Sequence, residues 1–164
     1  AAKGYKAANF HGIGTDYPAV QDILKYVVDK GKSQVKNRSR VGQNLYMRGV
    51  FNSVLIAESI RTAQEKYGNK VINGEEMRWG MENLNLTSAR MAEIGLSGFT
   101  NPIKVSCDDH ANNGPIYIQQ WNGTGWERVS GWIHSMDRVR PMLEKAAANY
   151  KAKNNIPNRT IPCS

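Results

Sequence analysis

Residues 45–68 read LYMRGVFNSVLIAESIRTAQEKYG, and this stretch decides the fold class. Its apolar side chains recur at helical spacing, and one stripe is formed by Tyr46, Val50, Val54, Ala57 and Ile60. Four further apolar residues widen that stripe: Met47, Phe51, Leu55 and Ile56. A stripe of this width predicts a helix that is buried on more than one side. Gly68 is a favourable residue to end it.

Other helices are predicted on both sides of this one. Upstream, AVQDILKYVVDKGK (19–32) has helical apolar spacing and a stop at Gly31. Downstream, Asn73 and Glu76 have the spacing of a capping box, and Thr87 precedes a short helical segment, SARMAEIG. A last helix is predicted in DRVRPMLEKAAANYKAKNN, with one apolar face formed by Val139, Met142, Leu143, Ala146, Ala147 and Tyr150.

Strands are predicted at the two ends of this helical region. YKAANF (5–10) and IKVS (103–106) are strand-like, and PIYIQQW and WERVSGWI flank the turn sequence NGTG (122–125). Asn-Gly between two strand-like runs predicts a β-hairpin. The order is therefore that of a mixed α/β protein, but it offers few strands to cover the long helix. This shortage indicates one part of a larger α/β fold.

Charge gives little support to a nucleic-acid partner. The 164 residues have a formal net charge of +8, but the basic residues are spread along the chain. The densest basic cluster, KGKSQVKNRSR (30–40), has no aromatic residue on which a base could stack. We therefore predict no nucleic-acid binding.

The stretch SCDDHANNG (106–114) brings together Cys107, Asp108, Asp109 and His110. A structural zinc site needs about four Cys or His ligands, whereas this chain has two cysteines and three scattered histidines. No metal and no cofactor are predicted. A Cys–His nucleophile remains an alternative, and the simplest interpretation is a loop that leads into the hairpin.

From residue 46 onward the sequence resembles the periplasmic solute-binding proteins of ABC transporters, in the branched-chain amino-acid (Leu/Ile/Val-binding-protein-like) family. YMRGVFNSVLIAESIRTA resembles that family's Tyr-x-x-Gly helix. SCDDHANNGPIYIQQWNGTGWERVSGW resembles its Asp-His stretch and hairpin, and RPMLEKAAANYKAKNNIP resembles its closing helix. The resemblance covers only about the C-terminal half of such a protein.

The resemblance implies the C-terminal portion of a type I periplasmic-binding-protein fold, the two-lobed α/β "Venus flytrap". Residues 1–11 are then an inter-lobe strand, and residues 12–104 are part of the first lobe. Residues 105–164 form the hairpin and the C-terminal helix that return to the second lobe. The partner that completes both lobes is the N-terminal half of the same protein.

The function that the resemblance implies is solute binding without enzymatic chemistry. We expect a periplasmic, exported component of a bacterial ABC importer. It binds a small amino acid, or a related aromatic or organic acid, between the lobes and delivers it to the transporter permease. Two alternatives stay open: a ligand-sensing regulatory domain of the same fold, and a small hydrolase that uses Cys107.

The resemblance also implies site residues. The loop leading into the Tyr-x-x-Gly helix faces the ligand cleft in the family, which singles out Gln43, Asn44, Tyr46 and Arg48 as ligand-binding residues. Tyr46 could equally begin the buried stripe. A disulfide between Cys107 and Cys163 is expected from the same resemblance. The four tryptophans are expected to pack in the core and at strand edges, with an aromatic ligand cage as the alternative: Trp79, Trp121, Trp126 and Trp132.

Overall fold

The computed structural model describes residues 2–110 and 114–160. Five α-helices are present in these ranges: α1 (Pro18–Ile23), α2 (Asn44–Tyr67), α3 (Gly74–Glu82), α4 (Ser88–Glu93) and α5 (Val139–Lys153). A π-helical segment, Leu24–Val28, continues α1, and a short 3-10 helix spans Arg38–Arg40. Five strands accompany them: β1 (Lys6–Asn9), β2 (Asn85–Leu86), β3 (Ile103–Lys104), β4 (Tyr117–Trp121) and β5 (Trp126–Arg128).

The long helix α2 has the bounds that its apolar stripe predicts, to within one residue at each end. It ends at Gly68, whose positive φ of 89° is easily adopted only by a residue without a side chain. The helix α3 begins with the predicted capping box: Asn73 accepts a hydrogen bond from the Glu76 backbone, and the Glu76 side chain accepts one from the Asn73 N–H. Thr87 caps α4 in the same manner through the Arg90 N–H.

The chain forms two compact units. One unit is Asn9–Asn112, and the other combines Ala1–Ala8 with Asn113–Ser164. The predicted division at residues 11 and 104 into parts of two lobes stays a prediction, because the structure does not assign either unit to a lobe.

The unit Asn9–Asn112 contains helices α1 to α4 and a small antiparallel sheet of β2 and β3. Its core is a single cluster of buried side chains: Val20, Leu24, Val41, Met47, Leu84, Leu86, Met91, Leu96 and Phe99. The helices α2 and α3 pack most extensively, and Gly80 of α3 permits this, because a Cβ there would lie 2.2 Å from the Ser59 carbonyl oxygen of α2.

The first predicted helix differs from expectation in its second half. The apolar spacing predicts one α-helix up to Gly31, but the backbone changes to π-helical hydrogen bonding at Leu24. The Asp29 N–H donates to the Leu24 carbonyl, five residues earlier. Leu24 lies in the core together with Val20.

The other unit contains a three-stranded sheet in the order β1-β4-β5 and the helix α5. The predicted hairpin is present, with Trp121 opposite Trp126. Its turn is held by Asn122, whose Oδ1 accepts hydrogen bonds from the Thr124 and Gly125 N–H groups. The helix α5 has no buried residue.

Candidate functional site

The first turns of α2 are fixed to the last residue of β1 and to the segment that follows it. Asn9 Nδ2 donates to Asn44 Oδ1 at 2.9 Å, and Arg48 Nε donates to His11 Nε2 at 2.8 Å. Asn44 and Arg48 are one helical turn apart, so both lie on the same side of α2. Each of these hydrogen bonds joins residues more than thirty positions apart in the sequence.

His11 is fully buried, and its two partners define its tautomer. Because Nε2 accepts from Arg48, the ring proton is on Nδ1, which lies 2.9 Å from the Gly12 carbonyl oxygen. The imidazole stacks against the rings of both Phe51 and Phe99, which also contact each other. Burial lowers the pKa of His11, the Gly12 carbonyl opposes that shift, and the Arg48 charge adds to it. The ring is therefore neutral at physiological pH.

The four predicted ligand-binding residues do not converge on one point. Asn44 and Arg48 point to Asn9 and His11, as described above. Gln43 is exposed and donates through Nε2 to the Ser39 carbonyl at 3.2 Å. Tyr46 is half-buried, packs against the core and lines a groove on another side of α2. Their role in ligand binding stays a prediction, and each already has a structural contact within this unit.

That groove lies on the unit Asn9–Asn112 and has a volume of about 730 Å³. Its floor is α2 from Leu45 to Glu58, and its walls are Ala19 and Ile23 of α1 together with Ile94 and Leu96 beyond α4. The lining is mostly apolar, with Ser53 and Glu58 as its polar side chains. The exposed fraction of Leu45 is 84%, so the groove opens directly to solvent.

One end of the groove holds a buried carboxylate that the sequence analysis missed. Glu58 is 5% exposed. Its carboxylate accepts hydrogen bonds from Arg90 Nη2 at 2.9 Å, from Arg90 Nε at 3.0 Å and from Arg61 Nε at 2.8 Å. Burial raises the pKa of Glu58, but the hydrogen bonds and charges of Arg90 and Arg61 outweigh it and hold the pKa below its ordinary value. A glutamate inside a wide apolar stripe was the available signal. Its main partner, 32 residues away, was not visible in the sequence.

Residues 106–110 form a turn near the end of the unit Asn9–Asn112 rather than a cluster of ligands. Ser106 and Asp109 exchange backbone hydrogen bonds, and the Ser106 hydroxyl also accepts from the Asp109 N–H. His110 Nε2 lies 3.4 Å from the Glu82 carboxylate. Among residues 2–110 and 114–160, no three His, Cys, Asp or Glu side chains group together as ligands for a metal ion.

The tryptophans make aromatic contacts with neighbouring side chains. Trp121 and Trp126 meet edge to face across the hairpin, with ring centroids 5.7 Å apart. Trp132 meets Tyr117 in the same way at 5.3 Å. Trp79 packs against Tyr67. These contacts agree with the packing interpretation.

The predicted disulfide falls partly outside the described residues. Within these residues no cysteine is free, but Cys163 lies beyond them. The Cys107–Cys163 pairing therefore stays a prediction.

No protein-family model matches the chain, and a comparison with curated proteins found no match. In the described ranges, no helix combines the length and apolarity needed to cross a membrane. Comparison with solved structures shows the fold. The chain has part of the mixed α/β, type I periplasmic-binding-protein fold that the sequence predicts.

Two solved structures carry this conclusion. The crystal structure of an ABC transporter permease from the Pseudomonas fluorescens group is 37% identical over 98% of this chain, with a TM-score of 0.87. The crystal structure of a branched-chain amino-acid ABC transporter from Thermus thermophilus with bound valine covers 86% of the chain at 16% identity, with a TM-score of 0.61. The second likeness shows the fold alone. The chain spans 39% of the length of the first structure and 36% of the second.

The predicted function requires a correction. From the sequence we expected the solute-binding component of an importer, or a sensor domain or hydrolase in its place. The structure that matches nearly the whole chain is instead described as an ABC transporter permease. The prediction of a solute-binding component is therefore wrong. It relied on motifs whose order and spacing report the fold, and one fold serves several roles.

Proposed function

We propose that this chain is part of an ABC transporter component, similar to the permease from the Pseudomonas fluorescens group, in a system that moves an amino acid or a related organic acid. One observation carries the proposal: 98% of the chain superposes on that structure with a TM-score of 0.87 and 37% identity. The solute class is supported by the more distant Thermus thermophilus structure, which contains bound valine.

In this proposal the chain is the C-terminal half of a longer protein, and the N-terminal half of that protein is the partner that completes its two lobes. The resemblance in the sequence and the short span relative to both solved structures support this view. A further support is the wide apolar surface of α2, part of which faces an open groove.

The component is exported to the periplasm and contributes no covalent chemistry. Supporting this, Glu58 is held by Arg61 and Arg90, and His11 by Arg48 and Gly12, so neither group is poised as an acid or base. A Cys107–Cys163 disulfide belongs to the same proposal. Disulfides persist in oxidising compartments, and no cysteine among the described residues is free.

The function is tested by uptake in the source organism. The gene segment for this chain is deleted, and uptake of radiolabelled amino acids, including valine, and of aromatic and organic acids is measured with and without a wild-type copy. We expect uptake of one solute class to fall to background and the wild-type copy to restore it. Sugar uptake serves as the control and is expected to stay unchanged. Unchanged uptake of every acid in the panel contradicts the proposal.

The exported state is tested by mapping the thiols of Cys107 and Cys163 by mass spectrometry in protein taken from the organism without reductant. We expect neither cysteine to react in the unfolded, unreduced protein and both to react after reduction, because the proposal pairs them with each other. Reaction of both cysteines before reduction shows that the disulfide is absent. This outcome leaves the uptake result unaffected, so the two parts of the proposal are judged separately.

A further inference from the structure

Most of the excess positive charge of this chain lies in one short segment, residues 25–40. The segment has six basic residues and one acidic residue, Asp29, so it carries five of the eight net positive charges. Basic residues occur along the whole chain, but no acidic residue occurs between Asp29 and Glu58. A protein surface with so uneven a balance of charge attracts groups and surfaces of the opposite sign.

Hydrogen bonds hold the two ends of this segment together. Arg38 donates through Nε and Nη2 to the Asp29 carboxylate at 2.9 and 3.3 Å, which fastens the 3-10 helix to the end of the π-helical segment. In the loop between them, Val35 is half-buried and packs against the core. The loop therefore has a defined position on the unit, and its one acidic side chain is already paired.

The remaining basic side chains of the segment are exposed, and we refer to them as the basic patch: Lys25, Lys30, Lys32, Lys36 and Arg40. Within the described ranges Lys32, Lys36 and Arg40 take part in no salt bridge. Lys36 and Arg40 also line a hollow of about 650 Å³, whose other polar side chains are one hydroxyl and two amides. Cationic, hydroxyl and amide groups all donate hydrogen bonds that phosphate oxygens accept.

Two exposed apolar side chains accompany the basic patch. Tyr26 is 53% exposed and Val27 is 38% exposed, and the Lys25 ammonium lies 4.8 Å from the centre of the Tyr26 ring. The Lys32 N–H donates to the Val27 carbonyl five residues earlier, so Val27 and Lys32 lie one turn apart. Tyrosine rings are enriched where the apolar part of a bilayer meets water. Lysine side chains can extend from that depth so that the ammonium group stays in water.

We propose that the basic patch, together with Tyr26 and Val27, binds the surface of a membrane that contains anionic phospholipids. This choice of occupant rests on the proposed function, since a component of an ABC transporter works beside a membrane. The charge of the patch is complementary to phosphodiester headgroups. An acidic protein would match the cations alone, whereas the exposed Tyr26 and Val27 beside them favour lipid, which also offers apolar contact at its boundary with water.

The test measures binding of the full-length protein that contains this chain to lipid vesicles by sedimentation. The vesicles are phosphatidylcholine alone or an equal mixture of phosphatidylcholine and phosphatidylglycerol. The patch variant carries Lys32→Glu and Lys36→Glu, and the control variant carries Lys145→Glu and Lys153→Glu in α5. All four lysines are exposed, and both variants change the net charge by the same amount. A difference between the two variants therefore reports where the charge lies, and not how large it is.

We expect the wild-type protein to bind the mixed vesicles and not those of phosphatidylcholine alone. One basic residue near an anionic membrane contributes about fivefold to binding, so the patch variant is expected to bind at least about 25-fold more weakly. The control variant is expected to stay within about twofold of the wild type, because its charges lie outside the patch. Tyr26→Ser is expected to weaken binding to a smaller extent that salt does not change, since an apolar contact is not screened.

Equal binding of the wild type to both kinds of vesicle, or equal losses in the two lysine variants, overturns the proposal. Binding to membranes of the source organism without binding to the protein-free mixed vesicles also overturns it, because an acidic membrane protein is then the occupant. If a variant does not fold, the wild type alone decides. Its binding to the mixed vesicles is expected to fall roughly tenfold from low to high salt, and binding that salt does not change overturns the proposal.

The vesicle measurement needs neither transport nor a bound solute, so its failure is distinguishable from a failure of the proposed function. Vesicle binding with unchanged uptake refutes the proposed function alone. Lost uptake without vesicle binding refutes the membrane surface alone.

Discussion

The helices α2 and α5 carry the same kind of sequence pattern and have opposite environments. Both have an apolar stripe at helical spacing, and both form where that stripe predicts. In α2 the stripe is partly buried, with Met47 fully enclosed. In α5 Met142, Leu143 and Tyr150 are each more than 60% exposed. Periodicity therefore predicts that a helix forms and which face is apolar, but the burial of that face depends on chain segments elsewhere.

The largest expected effect comes from removing one methionine from each helix. Met47→Ala is expected to destabilise the unit by about 3 kcal/mol, because it leaves a cavity in a closed core. Met142→Ala is expected to change the free energy of unfolding by less than about 0.5 kcal/mol, because that side chain is 68% exposed. Urea unfolding of both variants measures the difference. A loss at Met142 equal to that at Met47 would show that α5 is packed in solution.

A second pair compares one glutamate from each helix. Glu58→Ala leaves the Arg61 and Arg90 guanidinium groups without their shared carboxylate, and we expect a loss of about 2–3 kcal/mol, since both arginines retain some contact with water. Glu144→Ala removes an exposed ion pair with Arg140, for which the expected loss is below about 0.5 kcal/mol. Thermal unfolding at low and high salt checks both values. Similar losses for the two variants would contradict the importance of burial at Glu58.

The third pair compares Gly80 of α3, which packs against α2, with Gly49, which lies on an open side of α2. Gly80→Ala forces a Cβ against the Ser59 carbonyl and is expected to destabilise by about 1–2 kcal/mol. Gly49→Ala is expected to stabilise this chain by up to about 1 kcal/mol, because it improves helix propensity in open space. Opposite signs in urea unfolding are the expected result. A destabilised Gly49→Ala variant would mean that the groove is already filled in this chain.

The parts of the fold that the sequence predicted are those set by local chemistry. The bounds of α2, the capping box at Asn73 and Glu76, and the hairpin turn at Asn122 depend on residues within a few positions of one another. The site was less predictable. The contacts of Asn44 and Arg48 lie more than thirty residues away, so the sequence could not show that both side chains are engaged inside the unit. The π-helical segment after α1 was also missed, because the apolar spacing of this stretch fits an α-helix throughout.

The smallest expected effect is a pH dependence of the free energy of unfolding, which comes from His11 beside the start of α2. The helix α5 has no equivalent group, because none of its residues is buried. Burial lowers the pKa of His11 in the folded protein, whereas the unfolded chain has the ordinary value near 6.5. Below that pH the unfolded state binds more protons, so the free energy of unfolding falls as the pH drops, and above it this group has no effect. Between pH 7.5 and 5.5 one such group changes stability by at most about 1.4 kcal/mol.

Denaturant unfolding across this range is expected to show the decline in the wild type and a weaker one in His11→Gln. The carboxyl groups with lowered pKa, such as Glu58, titrate below this range and do not contribute. Equal slopes for the two proteins would show that His11 is already protonated when folded, with its hydrogen bond from Arg48 broken.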